Sequence, residues 1–108
     1  MKKSTIQFDV ELDENNIPDT IRWNASDAVA ASDAKAIMLS VWDKKELNTL
    51  RIDLWTKEMT VDEMKQFFHQ TLLTMSDTFQ RATGDQKMSA TMKDFCDYFA
   101  EKMDLIKK

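Results

Sequence analysis

The sequence is poor in the residues that punctuate a chain or carry out chemistry. It holds one glycine, one proline, one cysteine and one histidine in 108 residues. A lone glycine, Gly84, excludes a glycine-rich loop that cradles phosphate. The lone cysteine, Cys96, has no disulfide partner within the chain. One cysteine and one histidine cannot assemble a structural zinc site. Any Ser-His-Asp or Cys-His arrangement would have to use His69. That residue stands one position past Phe68 in a helical pattern, which puts it on the flank of the helix as an ordinary boundary histidine. Cys96 falls on an apolar stripe, where a cysteine acts as a small hydrophobe with a raised pKa and little reactivity. Carboxylates are plentiful, but none stands out as an acid–base pair. The expectation is a protein without catalytic residues, metal or cofactor.

Long apolar runs are also missing. No window approaches the roughly eighteen apolar residues of a membrane span. The start, MKKSTIQFDVEL, is basic like a signal peptide, but Gln7, Asp9 and Glu11 interrupt any apolar core. Cys96 lies too far along to be a lipoprotein acylation site. A cytoplasmic protein that is not membrane-inserted is expected. Charge of one sign is scarce as well: 15 basic and 19 acidic residues give a net charge of −4. The lysines are interleaved with acids, apart from the final IKK, so no basic face is available for phosphates and no nucleic-acid partner is expected.

What is present is a soluble composition, 43% hydrophobic and 31% charged. A chain of this length forms one domain, residues 1–108, and buries roughly two-thirds of its unfolded surface. Ile6, Phe8, Val10 and Leu12 alternate with polar residues, the pattern of a half-buried strand. Asp13-Glu14-Asn15-Asn16 reads as a turn. Pro18 lacks an amide donor and marks a strand start or edge. Thr20 to Asn24 is the second strand, with Ile21 and Trp23 inward. Asn24 to Ala34 reads as a loop, with a turn of helix as the alternative. Ala36 to Trp42 and Thr49 to Thr56 form a hairpin around the turn Asp43 to Asn48. Its inward residues are Ile37, Leu39, Val41, Leu50, Ile52 and Leu54.

The period then changes to about 3.6. Thr60 and Glu63 form a capping box. Val61, Met64, Phe68, Leu72, Met75, Phe79 and Ala82 make one helical stripe, closed by Gly84 as a left-handed cap. Asp85 caps a second helix with the stripe Met88, Met92, Phe95, Cys96, Phe99, Met103 and Ile106. The order is ββββαα: an α+β fold with a four-stranded antiparallel sheet and two C-terminal helices packed on one face. The eight methionines, Met64, Met75, Met88 and Met92 of these stripes among them, serve either as core filling or as an adaptable binding surface. At helical spacing the first is the commoner.

The hairpin raises the functional question. If Val41 pairs with Leu50, then Ala36 pairs with Trp55 and Met38 with Asp53. The outer face then carries Ala36, Met38, Ser40, Trp42, Arg51 and Trp55, with Trp42 near enough to Arg51 for a cation–π contact. Aromatic, methionine and arginine side chains together have the composition of an interface centre. The candidate interaction residues are Met38, Trp42, Arg51 and Trp55. Two bland explanations compete: segment 24–34 folds over the patch, or a bulge turns one tryptophan inward.

The runs MLSVWD, LRIDLWTKEMTVDEMKQFFHQTL, MSDTFQRAT and ATMKDFCDYFAEKM resemble the gliding motility protein GldC family of Bacteroidota. The likeness covers nearly the whole chain and is weakest over Asn24 to Ala34. It implies a small soluble accessory protein of gliding motility, with partners among gliding or secretion machinery components and no catalytic motif to carry over. The element order is also similar to that of the export chaperone SecB, by fold-level analogy alone. Two functions follow as expectations. One is an interaction protein that forms a homo-oligomer or docks a partner through the outer sheet face. The alternative is a SecB-like holdase for exported proteins.

Overall fold

The computed structural model describes residues 2–27 and 31–105. Its elements run β1 (Ile6–Leu12), β2 (Pro18–Ala25), β3 (Ser32–Ala34), β4 (Ala36–Trp42), β5 (Thr49–Trp55), α1 (Val61–Thr83) and α2 (Gln86–Lys102). The fold class is α+β, as expected. The chain divides into two compact units, Met1–Met59 and Thr60–Lys108.

In the first unit β1 pairs antiparallel with β2, with Phe8 opposite Trp23 and Val10 opposite Ile21. The alternation of β1 sets this register, and the pairing shifts between Glu11 and Leu12, where Leu12 meets Pro18. A bulge at that point lets proline open the strand without an amide donor. Asp13 builds the connecting turn. Its Oδ1 accepts the amides of Asn15 at 2.8 Å and Ile17 at 3.0 Å, and Asn16 takes the left-handed conformation at φ 60°. A carboxylate that captures local amides makes this geometry cheap. Lys57, just beyond β5, forms an ion pair with the other oxygen of Asp13.

The expected single four-stranded sheet is corrected here. The described residues form five strands in two small sheets, β1-β2-β3 and β4-β5. Part of the segment assigned to a loop, Asn24 to Ala34, forms β3, which places Ala34 opposite Ile21 and Ser32 opposite Trp23. Ser-Asp-Ala has neither alternation nor strand propensity, and pairing with β2 overrides that weak local preference. Residues 28–30 of the same segment lie outside the described residues. The run from Ser32 to Trp42 changes pairing partner at Lys35, whose carbonyl accepts the Thr56 amide at 2.8 Å. Among the described residues of this unit Ile21 is the best-buried apolar one, at 1% exposed.

The second unit is a helical hairpin. Thr60 Oγ1 accepts the Glu63 amide at 3.0 Å and Glu63 Oε1 accepts the Thr60 amide at 3.1 Å, the expected capping box. Gly84 ends α1 at φ 74°, its amide donating to the Gln80 carbonyl. Asp85 starts α2 by accepting the Met88 amide at 2.9 Å. The buried residues of the pair are small: Ser76 on α1, and Ser89, Cys96 and Ala100 on α2. Small side chains let helices approach closely, and the Ser89 hydroxyl then reaches the Ser76 carbonyl. The predicted stripes are therefore only partly core. Val61, Phe68, Met75, Met88 and Phe95 are exposed, Phe68 at 43%, while Met92, Phe99 and Met103 are half-buried. Ile106 lies outside the described residues.

Candidate interaction surface

The β4–β5 hairpin has an uninterrupted register from Ala36 opposite Trp55 to Trp42 opposite Thr49. Val41 faces Leu50 and Met38 faces Asp53, as the period-two pattern implies. An unbroken register keeps successive side chains on alternate faces. Ala36, Met38, Ser40 and Trp42 of β4 therefore share one face with Thr49, Arg51, Asp53 and Trp55 of β5. The bulge explanation of the tryptophans does not apply, and residues 28–30 of the segment expected as a cover lie outside the described residues. No bulge inverts either residue, and Trp42 and Trp55 are 66% and 57% exposed. The opposite face is more open than expected, because Val41, Leu50 and Ile52 are also exposed. Only Ile37, Leu39 and Leu54 of the inward set are half-buried.

Charge sits at the middle of the tryptophan face. Arg51 forms a two-point contact with Asp53: Nη2 lies 2.7 Å from Oδ1 and Nε lies 3.4 Å from Oδ2. A further guanidinium nitrogen, Nη1, donates to Ser40 Oγ at 2.7 Å. The Asp53 carboxylate, by hydrogen bond first and by charge second, raises the Arg51 pKa above its ordinary value. The guanidinium is thus held over β5 and the Ser40 position. Among the described residues the cation–π contact is a different one, Lys102 over the Tyr98 ring.

The turn between the strands adds a residue that sequence inspection passed over. Asp43 Oδ2 accepts the amides of Lys45 at 3.1 Å and Glu46 at 2.6 Å, and the Asp43 carbonyl accepts the Leu47 amide. This closes the turn with Leu47 in the left-handed region at φ 56° and 67% exposed. Leucine is a poor choice on both counts, since its Cβ resists positive φ and its side chain gains nothing in water. The available signal was Leu47 itself, an apolar residue inside an otherwise polar turn.

The reactive side chains are placed elsewhere. His69 stacks on Phe99 with ring centroids 6.3 Å apart. It lines an open cavity of about 370 Å³ with Gln66, Gln70, Asp104 and Leu105. Cys96 is buried, and burial first, then the Asp97 charge, pushes its thiol pKa up. Among the described residues no three His, Cys, Asp or Glu side chains are grouped to hold a metal ion. None of their helices is long and apolar enough to cross a membrane.

The family model for the gliding motility-associated protein GldC-like family matches residues 18–105, a span that takes in the whole of β4, β5, α1 and α2. No curated protein and no solved structure matches the chain.

Proposed function

The chain belongs to the GldC-like family of gliding motility-associated proteins, and from that premise we propose that it is a non-enzymatic accessory protein that works by protein–protein interaction through the outer face of β4–β5. In this proposal the protein is cytoplasmic, and Met38, Trp42, Arg51 and Trp55 form the contact. The observation that carries the proposal is the pair of indoles, more than half exposed, flanking an arginine on one face of a regular hairpin. Tryptophan and arginine dominate binding energy when desolvated at an interface. Leu47 supports the same end of the hairpin, because an exposed leucine in a left-handed turn costs the isolated protein stability without a visible return.

The test replaces Trp42 and Trp55 by glutamate in the native cell. The W42E/W55E protein should accumulate to normal levels yet impair gliding, and it should lose the proteins that co-purify with the parent. Normal gliding with an unchanged set of co-purifying proteins would refute the role of this face.

A further inference from the structure

The outer face of the hairpin is self-complementary. Along β4 the residues run Ala36, Met38, Ser40, Trp42, alternating small and large. Along β5 they run Thr49, Arg51, Asp53, Trp55. The midpoint of β4 is Leu39 and that of β5 is Ile52, and these two residues are paired. A two-fold axis lying across the strands at that level, between two stacked hairpins, reverses each row onto its own copy. Trp42 then comes over the partner copy's Ala36 position, Trp55 over its Thr49 position, and Met38 over its Ser40 position. Each large side chain meets a small one. At the centre, Arg51 of each copy comes over the Asp53 position of the other.

We infer that the partner of this surface is a second copy of the same chain, stacked outer face to outer face with antiparallel strands. The inference rests on the interaction role proposed above and names its occupant. Charge chooses this arrangement. The alternative axis, running along the strands, also sets each tryptophan over a small residue, but it sets Arg51 over Ser40 and Asp53 over Met38. Only the axis across the strands meets plus with minus. The intramolecular Arg51–Asp53 ion pair of each copy then joins its mate in a four-charge square of alternating sign, and both members are about half exposed. The patch is neutral in a chain of net charge −4, so it is a place where two like-charged molecules can meet without local repulsion. An isologous contact of this kind closes as a dimer.

The area is adequate. Aromatic side chains bury about 150–250 Å² each, so the exposed portions of four indoles amount to roughly 400–600 Å². The surface they cover on the other copy is of similar size. Together these approach the ~1,200 Å² lower bound of a specific interface before Met38 and the charged square are added.

The experiment is sedimentation of the full chain and of charge variants, with thermal melts to verify folding. The parent should be a dimer. R51D, carrying two acids at the centre, and D53R, carrying two bases, should each be monomeric. An equimolar mixture of R51D and D53R should form a one-to-one dimer, and R51D/D53R in one chain should dimerise like the parent. Thr49→Trp gives a second arm that leaves the ion pair alone. It enlarges the apolar face yet blocks the Trp55 position, so it should weaken the dimer. Tighter association of Thr49→Trp, a monomeric parent, single charge variants that still dimerise, or a mixture that stays monomeric would each overturn the self-pairing. A monomeric parent whose gliding still depends on Trp42 and Trp55 would overturn it while leaving the wider interaction role in place. A dimer obeying the charge rules in cells indifferent to W42E/W55E would do the reverse.

Discussion

Ser89 on α2 donates its hydroxyl to the Ser76 carbonyl on α1 at 2.9 Å, and the two residues are 1% and 0% exposed. The Ser76 hydroxyl turns back to the Leu73 carbonyl at 2.7 Å, so both side chains are satisfied inside a tight helix crossing. The crossing is sized for small residues. Ser89→Ala should lose about 1 kcal/mol through the missing hydrogen bond. Ser76→Leu should be worse, because about 1–3 kcal/mol of overpacking adds to the change. Phe68→Ala, by contrast, should cost less than the roughly 3–5 kcal/mol of a fully buried phenylalanine, since the ring is partly in water. Urea denaturation of the three variants gives the ranking. A larger loss at Phe68 than at Ser76 would contradict this packing.

The two ends of α1 provide a second comparison. Thr60→Ala removes one half of the capping box and should cost about 1 kcal/mol. Gly84→Ala places a Cβ in open space, with no atom within 4 Å, so its cost is backbone strain alone, about 1–2 kcal/mol for a left-handed L-residue. Gly84→Asn should recover part of that loss, because asparagine tolerates the conformation. Thermal melts of the three proteins test this. Equal stability of Gly84→Ala and the parent would rule out the strained cap.

These helix ends were legible because capping is local chemistry. Thr60, Glu63, Gly84 and Asp85 act on amides within a few residues of themselves, and the structure places each as its type demands. The β4–β5 register was legible for a related reason: a period of two and a short turn fix the pairing of Val41 with Leu50. What failed was non-local. β3 is a strand only because β2 lies beside it. The fully buried positions of the two helices are serines, a cysteine and an alanine, which hydrophobic periodicity counts as weak or polar positions. On the hairpin, parity located Met38, Trp42, Arg51 and Trp55 on one face, but it carried no information on how Arg51 divides its donors between Ser40 and Asp53.

Leu47 yields a prediction opposite in sign to most mutations. At φ 56° it sits in the left-handed region, which asparagine and glycine occupy readily. Leu47→Asn should stabilise the isolated chain by roughly 0.5–1 kcal/mol by relieving that strain. If the leucine is kept for contact with another molecule, the same change should weaken association while the melting temperature rises. Stability and sedimentation measured on one preparation separate the two effects. A fall in melting temperature would mean that Leu47 has packing value within the chain.

The last prediction concerns the ion pair that ties the β1–β2 turn to the segment after β5. The Lys57 ammonium, hydrogen-bonded to Asp13, holds the Asp13 carboxyl below its ordinary value of 3.8, assisted by the Ile17 and Asn15 amides. The same contact holds Lys57 above its ordinary 10.5. A depressed carboxyl stabilises the fold above its unfolded pKa, and that stabilisation disappears as pH falls through the folded value. A raised lysine stabilises it below 10.5, and that is lost as pH rises through its higher folded value. The pair therefore contributes across neutral pH and weakens at both extremes. Lys57→Met should raise the Asp13 pKa only part of the way to 3.8, because the two backbone amides still favour the charged form. Carboxyl carbon NMR titration of Asp13 in the parent and in Lys57→Met reads this directly. An unchanged Asp13 titration would show that the turn amides alone set its pKa, and the tether to Lys57 would then have no energetic role.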